Sequence, residues 1–353
     1  MHQKRKAVAL ISGGLDSLLA AQVILAQGIH VEGINFYTGF CIEGHTHAIR
    51  HQNSRHPKRN RALQVAEQLG IRLHFIDISA PYKDIVLNPR HGYGSNLNPC
   101  IDCKCFMVRQ AVAWMHEHNF DFIITGEVIG QRPMSQRKNT LPIIANESGA
   151  DDLLLRPLCA KKLPLTLPER EGWVDRDRLH DFNGRSRKSQ MALAASYNFQ
   201  DYAQPAGGCC FLTDSSYSAK FVDLWKFRGS RDYDLDDIFL LKIGRHLRPR
   251  PYFKLIVGRE EGENNFLAGY RKRFIHLQVL SHYGPMVLVD GTPQKFLDRE
   301  LIARIAARFS QGKNSEFVEV ELTELDGSSI RIIVTPFKPE EVLESWYIGI
   351  SNH

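Results

Sequence analysis

Two groups of residues have the types and spacing that chemistry requires, a glycine-rich loop and a set of cysteines. The loop reads Ser12-Gly13-Gly14-Leu15-Asp16-Ser17 and lies between a predicted buried strand over residues 7–11 and a predicted helix over residues 15–27. Its glycines allow a tight turn that brings backbone N–H groups close to a ligand, and the helix N-terminus behind it favours a bound anion. The hydroxyls of Ser12 and Ser17 add further donors. This pattern predicts a phosphate-binding loop.

Asp16 is unexpected in such a loop, because a carboxylate repels phosphates unless a cation lies between them. Mg²⁺ commonly takes one carboxylate together with substrate phosphates. We therefore predict that Asp16 holds Mg²⁺ at a phosphate chain or orients the loop. The sequence lacks the Gly-Lys-Ser/Thr ending of a Walker A loop and the third glycine of the dinucleotide fingerprint, which excludes both of those sites.

The chain has seven cysteines, an odd number, and most of them are clustered. Such spacing in a large chain without a signal peptide favours reduced thiols with metal or redox chemistry over structural disulfides. Cys100, Cys103 and Cys105 lie at the start of a helix predicted over residues 103–116, beside Lys104, and this position predicts lowered thiol pKa values. A structural zinc site completed by Cys105 is an alternative. Away from the clusters we expect buried, small apolar side chains at two positions, Cys41 and Cys159.

Strand and helix patterns alternate over the first 130 residues, which predicts an α/β fold with a doubly wound parallel sheet. Ligands of such sheets bind at the carboxyl ends of the strands. Asn35 and Phe36 end the second predicted strand, and Gly126 follows the strand predicted over residues 120–125, so all three are expected at that edge. Shorter β-type runs from about residue 238 onward predict a second, smaller α+β domain. The predicted boundaries are 1–163, 164–237 and 238–353, with the middle segment completing the active site.

Composition sets broad limits on the class of protein. The 353 residues are 43% hydrophobic and 24% charged, with a net charge of +6, which is typical of a soluble globular protein. No apolar run approaches the roughly 18 to 20 residues needed to cross a bilayer. We expect a cytoplasmic protein without a membrane partner. Its mild excess of positive charge is compatible with a polyanionic partner.

The glycine-rich loop resembles the SGGxDS loop of the PP-loop ATP pyrophosphatase superfamily, whose members have an adenine nucleotide alpha hydrolase-like fold. They cleave ATP between the α- and β-phosphates and adenylate a carbonyl oxygen. The segment from Thr125 to Gln131, with Ser135-Gln136, resembles the second nucleotide motif of tRNA 4-thiouridine synthetases, and Leu155 to Leu158 resembles the segment that follows it. The resemblance implies ATP binding by Ser12, Gly13, Gly14, Asp16, Ser17, Asn35, Phe36, Gly126 and Arg156. For Arg156 a surface ion pair is the alternative, and for Asn35 a turn position.

The cysteine spacing is similar to that of tRNA 2-thiouridylases, which implies a catalytic pair of Cys103 and Cys210 acting with Asp16. Cys100 stands where those enzymes often carry aspartate. A Cys-x-x-Cys pair with one distant thiol resembles the 4Fe–4S-dependent tRNA thiolases, which implies a cluster held by Cys100, Cys103 and either Cys209 or Cys210. Two routes for sulfur therefore stay open, one through a persulfide and one through an iron–sulfur cluster.

RNA recognition is predicted from basic residues and from the C-terminal part. Arg185, Arg187 and Lys188 lie between the cysteine clusters and are candidate tRNA contacts. Residues 253–259 and Asn264 resemble the RNA-binding domain of NFACT ribosome-quality-control proteins. The histidine-rich loop over residues 41–56 is a weaker candidate metal site. The thiolase resemblance implies a tRNA partner and a sulfur donor, which is a cysteine desulfurase, a carrier protein or inorganic sulfide, and it leaves a homodimer open.

We therefore predict an ATP-dependent tRNA sulfurtransferase that adenylates a base carbonyl and replaces its oxygen by sulfur. One alternative is an amidating or lysidine-type ligase, in which an amine or ammonia is the nucleophile and the cysteines are not needed. Another is a non-catalytic, nucleotide-dependent RNA-binding factor. The intact Ser12, Asp16 and Ser17 argue against a non-catalytic factor.

Overall fold

The computed structural model describes residues 4–42, 60–202 and 210–349. Their contacts divide these residues into two compact units. The first contains residues 4–41, 60–202 and 210–213, and the second contains residues 214–349. Cys209, residues 203–208 and the histidine-rich loop beyond Ile42 lie outside the described residues, so the predictions made for them stay predictions.

The first unit is built on a five-stranded parallel sheet with the order β3-β2-β1-β4-β5. The register places Ala9 of β1 between Gly33 of β2 and Ile124 of β4. Residues 7–9 of β1 and all three residues of β4 are buried, as expected for strands covered on both faces. The strands are β1 (Lys6–Leu10), β2 (His30–Tyr37), β3 (Leu73–Asp77), β4 (Phe122–Ile124) and β5 (Leu154–Leu155).

Among the described residues seven helices accompany this sheet, and one continuous core joins strand residues to the helices over Leu15–Leu25, Arg61–Leu69 and Lys188–Ser196. Helix α1 is buried along most of its length, from Leu15 to Ile24. The helices are α1 (Leu15–Leu25), α2 (Arg61–Leu69), α3 (Ser79–Leu87), α4 (Cys100–Glu117), α5 (Thr140–Glu147), α6 (Leu167–Arg170) and α7 (Lys188–Ser196). The predicted α/β fold of this unit is confirmed.

Strand order determines where a ligand can bind. The connection that leaves β1 leads to β2 on one side of it, whereas the connection that leaves the neighbouring strand β4 leads to β5 on the other side, so these two connections separate at the carboxyl ends of β1 and β4. A crevice at such a switch point is the usual ligand site of open α/β sheets. The loops after β1 and β4, which carry both predicted nucleotide motifs, meet there.

Residues 164–213 belong to the first unit, although the sequence predicts a boundary at residue 163. Main-chain hydrogen bonds join this segment to the loops after β4 and β5: His180 donates to Pro157, Phe182 to Leu158 and Gly184 to Ile129. Val174, Leu179 and Ala194 enter the main core. Such pairing of backbone groups is what anchors an irregular connection to its domain.

The second unit is a six-stranded antiparallel sheet with the order β11-β10-β8-β9-β7-β6. Helix α11 covers one face, and its alanine and isoleucine side chains are fully buried against the strands. The elements are α8 (Ser215–Arg228), α9 (Leu235–Leu240), β6 (Arg245–Arg250), β7 (Phe253–Val257), α10 (Glu261–Ala268), β8 (Ile275–Val279), β9 (Val287–Gly291), α11 (Phe296–Arg308), β10 (Val318–Thr323) and β11 (Ser329–Val334). The predicted α+β class of this part is confirmed.

Candidate functional site

The loop between β1 and α1 has the geometry of an anion site. Gly13 turns the chain at φ +80°, a conformation that residues with a side chain rarely adopt. The Ser17 hydroxyl donates to the Gly14 carbonyl at 2.8 Å and lies 3.3 Å from the Ser12 hydroxyl. Helix α1 has no side-chain N-cap. Its first N–H groups, which have no partner within a helix, are therefore available to a ligand at the loop.

A second element supports the loop from behind. A Cβ atom at Gly13 would lie 2.8 Å from the Ala62 nitrogen and 2.8 Å from the Arg61 Cβ, at the start of α2. Asn60 caps α2 by accepting hydrogen bonds from Ala62 and Leu63. Gly13 thus satisfies two demands, a left-handed turn and close contact with α2. The sequence predicted the tight turn but not the contact with α2.

Asp16 is held in a polar network at the mouth of the loop. Its Oδ2 atom accepts a hydrogen bond from Gln131 at 2.6 Å and lies 3.3 Å from Arg187 Nη2. Its Oδ1 atom is buried and has no hydrogen-bond partner among the described residues. Burial raises the pKa of the Asp16 carboxyl, against the opposing charge of Arg187 and the hydrogen bond from Gln131. An uncompensated carboxylate oxygen beside an anion site is suited to a cation.

Arg187 lies beside Asp16, although the sequence suggested an RNA contact for it. It immediately precedes α7, at the N-cap position. Gln190, one turn further on, is buried and donates to the Gln131 side chain at 3.0 Å. Gln131 belongs to the predicted second nucleotide motif, but Arg187 and Gln190 were not assigned to the nucleotide site from the sequence, because they lie more than 50 residues further along the chain. RNA contacts by Arg187 and by the exposed Arg185 and Lys188 stay predictions.

Gly126, which follows β4, packs directly against the nucleotide loop. A Cβ atom there would lie 2.5 Å from the Asp16 carbonyl carbon and 2.6 Å from the Ser17 nitrogen. Both of these are backbone atoms that have no room to move aside. The small size of Gly126 therefore lets the two nucleotide motifs approach each other.

We expect Gly126→Ala to destabilise the protein by about 1 to 3 kcal/mol, because overpacking forces the backbone apart. Gly14→Ala is the matched control, since a Cβ at Gly14 meets only the Ser12 hydroxyl, at 3.5 Å. Urea unfolding of both variants measures the difference. Equal stability of the two variants would contradict close packing at Gly126.

Glu127 and Arg156 form a buried ion pair beneath the loops. Arg156 Nε donates to Glu127 Oε2 at 2.9 Å, and its Nη2 donates to the Leu141 carbonyl at 3.2 Å. Both residues are at least 94% buried, since only 3% and 6% of their surfaces are exposed. Burial opposes ionisation of Glu127, but the charges of Arg156 and Lys104 hold the pKa of its carboxyl below the ordinary value. The guanidinium predicted to bind phosphate is thus engaged in this pair, and phosphate binding by Arg156 stays a prediction.

Two of the predicted ATP-binding residues, Asn35 and Phe36, lie on β2 next to the loop. Asn35 donates from its side-chain amide to the Ile11 carbonyl at 2.7 Å, one residue before Ser12. Phe36 is 8% exposed, on the same strand. Asn35 therefore ties the end of β2 to the start of the loop.

The thiol of Cys210 lies at the amino end of α4. It donates to Asn98 Oδ1 at 3.7 Å, and Asn98 lies two residues before Cys100, where α4 begins. Cys103 lies on the first turn of the same helix. A main-chain bridge between Cys41 and Cys210 fixes this position, with Phe211 donating to the Phe40 carbonyl at 2.9 Å. Residues 110 apart in sequence are thereby brought to one place.

Cys105 does not share the properties predicted for the cluster. It is 4% exposed, and burial raises the pKa of its thiol to about 11. A helix advances 100° per residue, so Cys105 lies on the opposite side of α4 from Cys103 and faces the core. The prediction of a lowered pKa is wrong for Cys105, which is unsuited to be a fourth zinc ligand. Within residues 4–42, 60–202 and 210–349, no group of three His, Cys, Asp or Glu side chains is arranged to hold a metal.

The two remaining thiols differ from each other. Cys159 is fully buried, as expected, and burial raises the pKa of its thiol to about 11. Cys41 is only half-buried, with its sulfur 3.6 Å from the Thr38 hydroxyl. Its place beside Cys210 explains this exposure, because it lies at the open carboxyl edge of the sheet.

In the second unit, the motif around Gly258 is built into the fold. Asn264 Oδ1 accepts a hydrogen bond from the Met286 nitrogen at 3.0 Å, and Gly258 donates to the Met286 carbonyl at 3.0 Å. Arg259 pairs with Glu263, whose side chain is completely buried. These contacts fasten the β7–α10 turn to the start of β9.

Comparison with known proteins separates the chain in the same way. Residues 2–162 match the family model described as thiamine biosynthesis protein (ThiI), and residues 244–347 match the model described as NFACT protein RNA binding domain. Each model covers less than half of the chain, which is thus similar to ThiI over its first part (the ThiI-type domain) and to the NFACT RNA-binding domain over its second part (the NFACT-R-type domain). Both resemblances predicted from the motifs are confirmed.

Curated relatives of the ThiI-type domain are tRNA-modifying proteins by name. The tRNA-specific 2-thiouridylase MnmA of Mesoplasma florum is 29% identical over 162 residues, which are 42% of this chain and 42% of the relative. That of Dehalococcoides mccartyi is 24% identical over 306 residues, 85% of this chain and 78% of the relative. The chain spans less than half the length of the first relatives it matches.

A solved complex of a 4-thiouridine synthetase with RNA and bound ATP is also similar. It is 26% identical, with a TM-score of 0.33, and the match covers 43% of this chain and 36% of that one.

Among the described residues no helix combines the length and apolar character of a membrane span.

Proposed function

We propose that this protein is an ATP-dependent tRNA sulfurtransferase. The observation that carries the proposal is the crevice of the ThiI-type domain, where the loop after β1, the loop after β4 and the carboxylate of Asp16 come together. The family match of this domain and the names of its relatives support tRNA thiolation as the reaction.

The proposed reaction has two steps. A carbonyl oxygen of a tRNA base attacks the α-phosphorus of ATP, pyrophosphate leaves, and the base is adenylated. A sulfur nucleophile then attacks the activated carbon, and AMP leaves with the former carbonyl oxygen. In the first step, N–H groups at the start of α1 and the charge of Arg187 stabilise negative charge on the phosphates. Positioning and charge stabilisation supply most of the catalysis in reactions of this kind.

The residues present fit a magnesium ion at this site. Asp16 offers an unpaired, buried carboxylate oxygen, and Gln190 offers a second buried oxygen without a hydrogen bond among the described residues. Hard oxygen ligands and substrate phosphates are what Mg²⁺ prefers. The ion would neutralise phosphate charge next to Asp16.

For sulfur delivery we favour the persulfide route. A persulfide on Cys210 attacks with its outer sulfur, and AMP leaves. The Cys103 thiolate then attacks the Cys210 sulfur, so that a Cys103–Cys210 disulfide forms and the thiolated base is released. A dithiol reductant then cleaves the disulfide, and the freed Cys210 thiolate takes the outer sulfur of a persulfide-bearing donor protein, whose own thiolate leaves. With sulfide as the donor no reductant is needed, because sulfide attacks the disulfide at the Cys210 sulfur, which forms the Cys210 persulfide and releases the Cys103 thiolate. The position of Cys210 at the amino end of α4 supports this route.

A 4Fe–4S cluster is the second candidate. Cys100 and Cys103 lie one turn apart at the start of α4, and Cys209 or Cys210 would supply the third thiolate. Cys100, Cys103 and Cys210 form no metal-binding group in this structure. The two reaction steps proposed for this protein therefore do not use a cluster. Iron and labile-sulfide analysis of protein purified without oxygen distinguishes the routes: about four irons per chain favours the cluster.

The NFACT-R-type domain is proposed to hold the RNA. Its family description names RNA binding, and the domain does not supply any of the residues assigned to chemistry. This division leaves nucleotide activation to the first unit and RNA affinity to both units.

The experiment that tests the proposal incubates the full chain with ATP, Mg²⁺, unmodified bulk tRNA and a sulfide source. Pyrophosphate release is measured together with mass spectrometry of tRNA nucleosides. RNA-dependent pyrophosphate release with a thiolated nucleoside supports the proposal. Release with an aminated nucleoside would instead establish a ligase, and absence of release with every RNA pool would favour a non-catalytic factor.

Arg187→Gln is expected to raise the KM for ATP about 10-fold or more, because a charge-assisted hydrogen bond to phosphate contributes about 1.5 to 3 kcal/mol. Lys188→Gln is the matched control, since its side chain is exposed one residue further along the same segment. Pyrophosphate release measured against ATP concentration separates the two. Equal KM values for both variants would show that Arg187 does not contact ATP.

Asp16→Asn is expected to stabilise the ligand-free protein and to inactivate it. Because the pKa of Asp16 is raised in the folded protein, its ionised carboxylate lowers the free energy of unfolding at neutral pH. This destabilisation is lost as the pH falls below the ordinary carboxyl pKa of about 3.9. We expect Tm to rise by a few degrees at pH 7 and pyrophosphate release to fall at least about 100-fold. An unchanged rate would exclude Asp16 from magnesium binding.

A further inference from the structure

A pocket of about 550 Å³ lies in the first unit, beside the second nucleotide motif. It is open to solvent and is lined by Ile129, Gly130, Lys138, Lys162, Asn183 and Gly184. Its size is within the range of roughly 300 to 1,000 Å³ that is common for ligand sites.

Two glycines in the left-handed conformation form part of its wall. Gly130 has φ +77° and Gly184 has φ +80°. Gly184 donates to the Ile129 carbonyl at 2.7 Å, and a Cβ at Gly130 would lie 3.4 Å from the Gly184 nitrogen. The two loops therefore touch through their main chains, which leaves the space above them free of side chains.

The pocket is cationic. Two of its six lining residues are lysines, Lys138 and Lys162, and none is acidic. Both lysines are exposed, on segments far apart in sequence. The side-chain amide of Asn183 supplies a neutral donor and acceptor between them. A ligand with phosphate groups matches this lining.

The pocket is separate from the groups assigned to ATP. None of the residues from Ser12 to Ser17 lines it, and neither does Arg187. Further exposed cations stand next to the lining residues in sequence, at Arg137, Lys161 and Arg185. Cations spread over an open surface suit an extended polyanion better than a compact anion.

We propose that this pocket binds backbone phosphates of the RNA substrate and so holds the strand beside the nucleotide crevice. The proposal rests on the proposed function and adds to it a contact that the ThiI-type domain makes by itself. Lys138 and Lys162 bind phosphates as point charges, and Asn183 contacts the sugar or a base edge. Such contacts fix register on the RNA and carry little sequence preference.

The test compares Lys138→Gln/Lys162→Gln with Lys4→Gln/Lys6→Gln in the full chain. The control removes the same charge from two exposed lysines of the same unit that do not adjoin the pocket lining in sequence. Dissociation constants for bulk tRNA are measured from about 50 to 200 mM salt, and the KM for ATP is measured in parallel. Loss of two phosphate contacts lowers the slope of log K against log salt by about 1.5 to 2.

We expect the pocket variant to lose about 10-fold or more in tRNA affinity at low salt, with the smaller slope, while its KM for ATP stays unchanged. An unchanged slope and affinity would overturn the proposal. A raised KM for ATP with normal tRNA binding would assign the pocket to nucleotide phosphates and would also overturn it. RNA binding is measured without turnover, so failure of the thiolation assay does not affect this result.

Discussion

Replacement of Cys210 by serine is expected to abolish the thiolated nucleoside and to leave pyrophosphate release nearly intact. Serine keeps the size of the side chain but cannot carry persulfide sulfur, so the second step stops while adenylation continues. We expect nucleoside thiolation to fall at least about 1,000-fold and pyrophosphate release to change less than about threefold. Mass spectrometry of digested tRNA and a pyrophosphate assay measure the two steps separately.

Cys41→Ser is the control for this change. Its thiol is half-buried at the same edge, and the bridge that holds Cys210 next to it uses only main-chain groups. Both steps should therefore remain near wild type. Cys100→Ser distinguishes the routes: the persulfide route tolerates this change, whereas the cluster route loses iron and thiolation together. Retained thiolation in Cys210→Ser would contradict the assignment of Cys210.

Arg156→Met is expected to destabilise the protein by about 3 to 5 kcal/mol, because it leaves the buried carboxylate of Glu127 without its main partner. The double change Glu127→Gln/Arg156→Met removes both charges and should restore part of this loss. Urea unfolding at pH 7 measures all three variants. A double variant as unstable as Arg156→Met would mean that lost packing, and not the unpaired charge, causes the effect.

The pH dependence gives a second test of this pair. The pKa of Glu127 is lowered in the folded protein, so its ionised carboxylate adds to the free energy of unfolding. This contribution is fully present above the ordinary carboxyl pKa of about 4.3. It is lost as the pH falls through the pKa that Glu127 has in the folded protein. The difference between Arg156→Met and wild type should therefore shrink in acid. Arg170→Met removes a surface pair with Asp152 and should cost at most about 1 kcal/mol.

Local patterns were sufficient to predict most elements of the parallel sheet and the loop after β1. The helix predicted over residues 15–27 is α1, which begins at the same residue, Leu15, and ends two residues earlier, at Leu25. Helix α3 was missed, since Pro81 lies in its first turn and no side chain caps it. Strand β6 was missed as well, because it carries three arginines and Pro249, residues that seldom indicate a strand.

The site was less predictable than the fold, for a physical reason. The pairing of Arg187 with Asp16 spans 171 residues, and that of Arg156 with Glu127 spans 29. Charge type alone cannot tell a cation that will contact phosphate from one that will neutralise a buried acid. The spacing of the cysteines also gave a wrong prediction for Cys105. Cys103 and Cys105 lie on opposite sides of α4, so the thiol of Cys105 is buried while that of Cys103 is partly exposed.

Arg187 and Asp16 form an ion pair in which each charge balances the other. A free triphosphate entering the crevice gains the guanidinium but forces the carboxylate to lie beside phosphate oxygens without a counter-ion. A magnesium–nucleotide complex brings an anion for Arg187 and a cation for Asp16 at once, so the two side chains exchange partners and neither is left alone. If the proposed magnesium site exists, the crevice would select for the metal complex over the bare nucleotide, and this discrimination would come from the ion pair between Arg187 and Asp16.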